Sequence, residues 1–443
     1  MRRRRILLLF TLIACGSSEC RLDPSPSCSY RPPSSSDGGA ETFADEIDSV
    51  HAGDVHACAL LSTGSDVFGG EEKRPRCWGG NPHDQLAQVA SPEPGELWWY
   101  ANWDDETGFF QLGAAHACVF DLDDPDEGVE LECWGNNEGG QLGLGPDETI
   151  GGIVSSVQAE PDVTVTGLAL GGLHGCFGSA EGVSCFGDER WGQLGAPDAD
   201  CCEPMPIPAE RLGDVPSERV DLSAGTRHSC ALVREEDAAA GAVFCWGDDS
   251  FGQLGHGELG TTALPPALVE GLEATAIAAG PHHSCAVDMA GDVWCWGRNE
   301  RGELGAGDAS RAEPAPVALD DVALVFAGGE SGLSFGGELD TVTPGAAHSC
   351  AIDREGRAFC WGDNSAGQLG LPAGAIEREP VATHPELRFR DLALGGRFTC
   401  GVTTAEELLC WGNNSLGQLG RTGEGSHEPT PVAVFSESFA PSE

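Results

Sequence analysis

At 443 residues and 40% hydrophobic content, the chain can hold two or three average domains or one large closed array. Its 63 glycines, without a strict triplet period, speak for many turns and exclude a collagen-like rod. A formal charge of −47, from 24 basic and 71 acidic residues, repels phosphate backbones and excludes nucleic acid as a partner class. It favours solubility, cations and a protein partner with a basic surface, and is equally compatible with a solvated acidic shell that implies no partner.

The N-terminus carries an address. Arg2 to Arg5 form a positive segment, and Ile6 to Ile13 a short apolar one. The apolar run is far below the roughly 20 residues of a membrane-spanning helix, so 1–14 reads as a signal peptide. Its ending, Leu12-Ile13-Ala14-Cys15, resembles the lipobox of bacterial lipoproteins. The resemblance implies cleavage before Cys15 and a lipid anchor on its thiol, and so an exported protein at the outer membrane or cell surface of a bacterium. An ordinary secretory signal, with a secreted or periplasmic product, is the alternative. Residues 15–44 are rich in Ser, Pro and Gly and read as a flexible tether.

From about residue 45 one phrase recurs. Its halves are His-x-Cys-Ala-Leu and Cys-Trp-Gly-x-Asn-x-x-Gly-Gln-Leu-Gly. A full copy runs from His228-Ser229-Cys230 through Cys245-Trp246-Gly247 to Gly252-Gln253-Leu254-Gly255, and another is built on His348-Ser349-Cys350. Others start at His56, His116, His174 and His283, and the seventh has Phe398-Thr399-Cys400. Locally each copy predicts strands. The run Ala274 to Gly280 leads into His283-Ser284-Cys285-Ala286-Val287, a turn at Met289-Ala290-Gly291, and a second strand at Val293-Trp294-Cys295-Trp296. Glycines of the Gly-Gln-Leu-Gly segment supply positive φ in a closing turn. Pro-rich stretches such as Glu313 to Val317 lead onward.

At these residues the sequence resembles the RCC1 repeat family, over roughly 45–435. The resemblance implies an all-β fold: a seven-bladed β-propeller of four-stranded antiparallel blades, its ring closed by N- and C-terminal strands. Closure would pair Val432-Ala433-Val434-Phe435 with the blade containing Ile47-Asp48-Ser49-Val50, leaving 436–443 as a tail. Some copies depart from the phrase: Asp84-Gln85-Leu86-Ala87, Cys185-Phe186-Gly187, and Gly302-Glu303-Leu304-Gly305. Insertions occupy about 92–110 and 328–342.

Fourteen of the 19 cysteines fall into seven hairpin pairs: Cys58–Cys77, Cys118–Cys133, Cys176–Cys185, Cys230–Cys245, Cys285–Cys295, Cys350–Cys360 and Cys400–Cys410. Opposed antiparallel residues lie within disulfide reach, and an exported chain meets an oxidising compartment. The competing reading, zinc held by His-x-Cys…Cys, has only three recurring ligands per copy and no Cys-x2-Cys spacing. Neither metal nor cofactor is expected. Cys20, Cys28, Cys201 and Cys202 have no partner legible in the sequence.

No Gly-x-Ser-x-Gly, phosphate loop or His-Glu-x-x-His occurs, and a histidine repeated in six of the seven copies fits packing better than a unique catalytic constellation. The chain is therefore expected not to be an enzyme, and to be a monomer. The acidic run Asp121 to Glu127 reads as a solvated loop, with weak calcium binding as the alternative. Trp98, Trp99, Tyr100 and Trp103, outside the repeat template, are candidate partner-binding residues. The expected function is a non-catalytic binding or scaffold protein of the cell envelope. Alternatives are an inhibitor of a secreted enzyme such as a β-lactamase and, by family resemblance, a guanine-nucleotide exchange factor.

Overall fold

The structure, a computed structural model, describes residues 46–434 except 66–70, 84, 87–94, 97–108, 122–129, 146–153, 159–164, 180–181, 196–204, 208–211, 213–218, 236, 334–344 and 422–425. Among the described residues the regular structure is strand, and no helix is long and apolar enough to cross a membrane.

Each repeat folds as an antiparallel meander. In the first, Glu46–Ala52, His56–Ser65, Glu71–Gly79 and Gly95–Glu96 pair in chain order. The sixth repeats the plan with Val322–Gly329, Ala347–Asp353, Ala358–Gly362 and Glu377–Thr383. Five sheets have four strands, and one has seven. The seven-stranded sheet joins the fourth and fifth units through one 19-residue strand, Thr261–Ala279. Its first part is the outer strand of the fourth unit, with Ala267 opposite Cys245, and its last part is the inner strand of the fifth, with Ala278 opposite Cys285. Pro265 and Pro266 are tolerated because they lie on the outer edge, and the register shifts between Cys245 and Gly247.

The expected exchange of terminal strands is not what the described strands do. His427–Ala433 pairs with Leu408–Asn413 in the last sheet, and Glu46–Ala52 pairs with His56–Ser65 in the first. Among the described residues each of these repeats supplies its own four strands. The two sheets meet instead through side chains: Ile47, Val50 and Trp78 share one cluster with Phe398, Val402, Leu408 and Val434. Similar clusters join other successive units, as Cys58, Cys77 and Leu86 do with Phe110, Leu112 and Trp134.

The hairpins place the cysteines opposite one another, as in Cys230↔Cys245 and Cys400↔Cys410. Disulfides join Cys58–Cys77, Cys118–Cys133, Cys176–Cys185, Cys230–Cys245, Cys285–Cys295, Cys350–Cys360 and Cys400–Cys410. The bonded cysteines are buried, and their sulfurs are no longer thiolate donors for a metal.

Candidate interaction surface

The recurring phrase is a joint between neighbouring units. In the fourth unit, Gln253 Oε1 accepts from the Phe251 amide at 2.9 Å, and its Nε2 donates to Asp248 Oδ2 at 3.1 Å. The Leu254 amide donates to Asp249 Oδ1 at 2.8 Å, and Leu254 is fully buried. Gly252 and Gly255 hold φ of 81° and 77°, which a Cβ would strain. The turn thereby aims the Gln253 carbonyl at the fifth unit, where it accepts from Trp296 Nε1 and Ser284 Oγ, both at 2.9 Å. The same indole-to-carbonyl bond joins Trp134 to Gln85, Trp246 to Gln193, Trp361 to Glu303 and Trp411 to Gln368. Trp78 of the first unit donates to the Gln418 carbonyl of the last at 2.8 Å.

Two departures from the phrase have a local explanation. In the first unit Gln85 and Leu86 keep the joint: Gln85 Oε1 accepts from the His83 amide, and the Leu86 amide donates to Asn81 Oδ1, both at 2.8 Å. Glu303 replaces Gln where Arg298 replaces the usual Asp or Asn, at 3.6 Å, so both partners of the buried contact change together. Burial still pushes the Glu303 carboxyl up to about 7, with Arg298 opposing.

The repeat histidines follow the same cross-unit logic. His174, His228, His283 and His348 present Nε2 to the hydroxyls of Ser229, Ser284, Ser349 and Thr399 in the next unit, at 2.8–3.0 Å. Each hydroxyl donates its proton to the carbonyl at the preceding turn, so Nε2 carries the imidazole hydrogen. The partner is thus the middle residue of the next His-x-Cys. Where that residue is Ala117 or Gly175, His56 and His116 are fully buried with both ring nitrogens unpaired. Burial holds these two imidazoles down at about 3. Phe398 faces Ala57 in the same apolar cluster, so the unit lacking the histidine also lacks the need for a hydroxyl.

Seven segments, 52–54, 112–114, 170–172, 224–226, 279–281, 327–331 and Leu394, line one cavity of about 90 Å³. Backbone bonds run between neighbours around it: Asp54 N to Ala114 O, Ala114 N to Gly171 O, Gly172 N to Gly225 O, and Thr226 N to Pro281 O. Gly396 N donates to Asp54 O, linking last to first. One insertion begins here. Ser331 donates through its amide and Oγ to the Asp54 carboxylate, and its carbonyl accepts from Thr226 Oγ1 at 3.5 Å. Burial pushes the Asp54 carboxyl up to about 7 against these bonds.

At the turns of the recurring phrase, the residue before Gly-Gln varies. Trp191 lies under the Arg227 guanidinium at 4.0 Å, and Phe251 packs against His282 at 5.4 Å. At the same place Arg301 and Leu416 are exposed, Leu416 by 51%. This row was missed in the sequence; its signal is the alternation of Trp, Phe, Arg and Leu within an otherwise fixed phrase. The residues singled out earlier for binding, Trp98, Trp99, Tyr100 and Trp103, lie outside the described residues, as do Cys15, Cys20, Cys28, Cys201, Cys202 and the run Leu122 to Glu127.

A family model, the RCC1-like domain, matches residues 130–440. The Ultraviolet-B receptor UVR8 of Arabidopsis thaliana is 30% identical over 249 residues, 55% of this chain and 51% of that protein. The probable E3 ubiquitin-protein ligase HERC6 of Homo sapiens is 31% identical over 254 residues, 56% of this chain and 23% of that protein. The chain thus spans about half or less of the length of these relatives. Among solved structures, yeast RCC1 (Prp20) bound to Kap60 aligns with TM-score 0.65 at 18% identity, covering 95% of this chain and 92% of that one. Human WBSCR16 aligns with TM-score 0.62 at 19% identity, covering 79% and 85%. The expectation of a non-enzyme is corrected by these findings: matched relatives, HERC6 and HERC3 among them, are named as probable ligases, so kinship through these repeats does not place a chain outside the enzymes. With its family model matched from the second repeat to the last, the chain belongs to the RCC1-like domain family.

Proposed function

We propose that this chain is a protein-interaction propeller, seven units closed into a ring, that presents its turn side to a partner outside the cytoplasm. The observation that carries the reading is the variable row on a recurring joint. In most units the Gln or Glu, Trp and Leu of the phrase are spent on joining units, while the neighbouring position changes through Gly139, Trp191, Phe251, Arg301, Ala366 and Leu416. A rigid frame with variable side chains at equivalent places is what recognition of one irregular surface needs. The ring is supported by the seven segments around one cavity and by the Trp78–Gln418 and Gly396–Asp54 bonds.

Export is supported by the seven disulfides, which belong to an oxidising compartment. In the same proposal residues 1–14 are a signal peptide, Cys15 carries a lipid at the cell envelope, 15–44 form the tether, the propeller spans 45–435, and 436–443 form a tail. The charge of −47 favours a partner with a basic surface. Crosslinking in intact cells with mass spectrometry tests the reading. The expected result is a recurrent protein partner joined near Trp191, Phe251 or Arg301. Crosslinks that never return a partner overturn it.

A further inference from the structure

The long shared strand creates a cleft in addition to the central cavity. Between the fourth and fifth units, a cavity of about 630 Å³ is lined by His256, Leu268, Glu270, Trp294, Glu313 and Pro314, with smaller neighbours. Its volume is within the roughly 300–1,000 Å³ of ligand-binding clefts. One wall is the strand Thr261–Ala279, which passes from one unit into the next.

Three observations define what fits. First, Trp294 stands just before the second hairpin cysteine, where other units carry Arg76, Glu132, Ser184, Phe244, Phe359 and Leu409. It is half-buried, and its Nε1 donates to Asp288 Oδ2 at 3.0 Å, which fixes the ring. Second, Glu270 and Glu313 are exposed in the lining, and neither forms an ion pair among the described residues. No Lys or Arg lines the cleft, and His256, bonded to the Ala267 carbonyl, is held below its usual pKa by burial. Third, Leu268, 38% exposed, lines the cleft beside Ala267 and Pro314.

An aromatic face beside unpaired carboxylates attracts a cation, and exposed Leu268 in the same lining favours an apolar neighbour of that cation. We propose that this cleft binds an extended basic-apolar peptide segment of a protein partner, a Lys or Arg side chain lying over Trp294 between Glu270 and Glu313, with an adjacent apolar side chain on Leu268. The inference rests on the interaction reading above and gives it a second contact, on the outer side of the fourth and fifth units.

The test uses the oxidised protein and a labelled eight-residue peptide of alternating lysine and leucine, read by fluorescence anisotropy. The expected result is saturable binding that weakens about tenfold in E270Q/E313Q and in W294A, and also with added salt. The pair E235Q/E379Q removes the same charge from exposed sites elsewhere and should leave affinity unchanged. Equal weakening in both pairs, binding as strong to a lysine–glycine peptide, or no binding overturns the proposal. Preference for a neutral oligosaccharide over the peptide also overturns it. Failure here is distinct from failure of the interaction reading. A partner captured in cells with unchanged yield from E270Q/E313Q leaves the propeller reading standing and removes only the cleft.

Discussion

Supplying a hydroxyl at Ala117 should stabilise the protein, because it gives His56 the partner that four other repeat histidines have. In those four units the imidazole donates to a serine or threonine hydroxyl, which donates in turn to a turn carbonyl. Ala117 occupies that place, is fully buried, and pairs with Trp134, whose indole donates to the Gln85 carbonyl. The variant A117S adds one oxygen within the established pattern. A neutral hydrogen bond contributes about 0.5–1.5 kcal/mol, and relieving a buried orphaned donor about 1–3 kcal/mol, so a gain of about 1–2 kcal/mol is expected. The complementary change, H56F, copies Phe398 over Ala57 and should also be neutral or stabilising. The two gains should not add, since in the H56F background the new hydroxyl has lost its donor; a coupling of at least about 1 kcal/mol is expected. Guanidinium unfolding of the four oxidised proteins gives the cycle. Destabilisation by A117S, or the same change from A117S in both backgrounds, refutes the cross-unit account of the histidines.

Further predictions concern the joint, acid and the disulfides. R298D places an acid beside fully buried Glu303 and should cost about 3–5 kcal/mol, while R298D/E303Q recreates the Asp363–Gln368 contact of the sixth unit and should recover most of it in the same unfolding assay. Burial holds His56, His116, His228 and His283 at about 3 and His174 and His348 at about 4. The unfolded chain takes up these protons near 6.5, so this contribution is complete above that pH and is lost as pH falls toward 3–4. Asp54 and Glu303, raised to about 7, and Asp391, raised to about 6, bind protons first in the folded state and oppose the loss. Burial holds His51 at about 4 and His282 well below its usual range, with the same effect as in the other six histidines, so eight groups against three predict a lower denaturant midpoint at pH 5 than at pH 7.5, and a higher one contradicts it. C285S/C295S opens a bond spanning 10 residues and should cost at most about 3 kcal/mol, measured as a fall in midpoint without loss of the other six bonds by mass spectrometry.

The fold was legible because its repeat is self-consistent. Seven copies of one phrase dictate hairpins, and the hairpins put cysteines opposite one another. What stayed illegible depends on contacts between copies. Nothing in the phrase around His174 names Ser229, which lies in the next repeat, and Glu303 reads as a stray departure until Arg298 is seen 3.6 Å away. The shared strand Thr261–Ala279 was hidden by Pro265 and Pro266, which punctuate a sequence but are harmless on an outer edge. Trp294 sits inside the repeat template, where an aromatic residue reads as a strand position, whereas Trp98, Trp99, Tyr100 and Trp103 stand out from the template and lie outside the described residues.

The junctions between successive units are not equal. From the fourth unit to the fifth, a histidine, a hydroxyl, an indole and a continuous strand all cross. From the second to the third, Gly175 provides no hydroxyl for His116 and Phe186 no indole for the turn at Gln141. Gly175 cannot be repaired, since a Cβ there would lie 2.4 Å from the Phe186 ring. The junction between the second and third units is therefore the weakest of those compared. Local opening should start there, with exchange of the Cys176–Cys185 hairpin amides ahead of those of the Cys285–Cys295 hairpin. The proposed cleft lies at the fourth-to-fifth junction, where the frame is most firmly bonded, and such a place suits a partner site that must hold Trp294 and its two carboxylates in fixed relation.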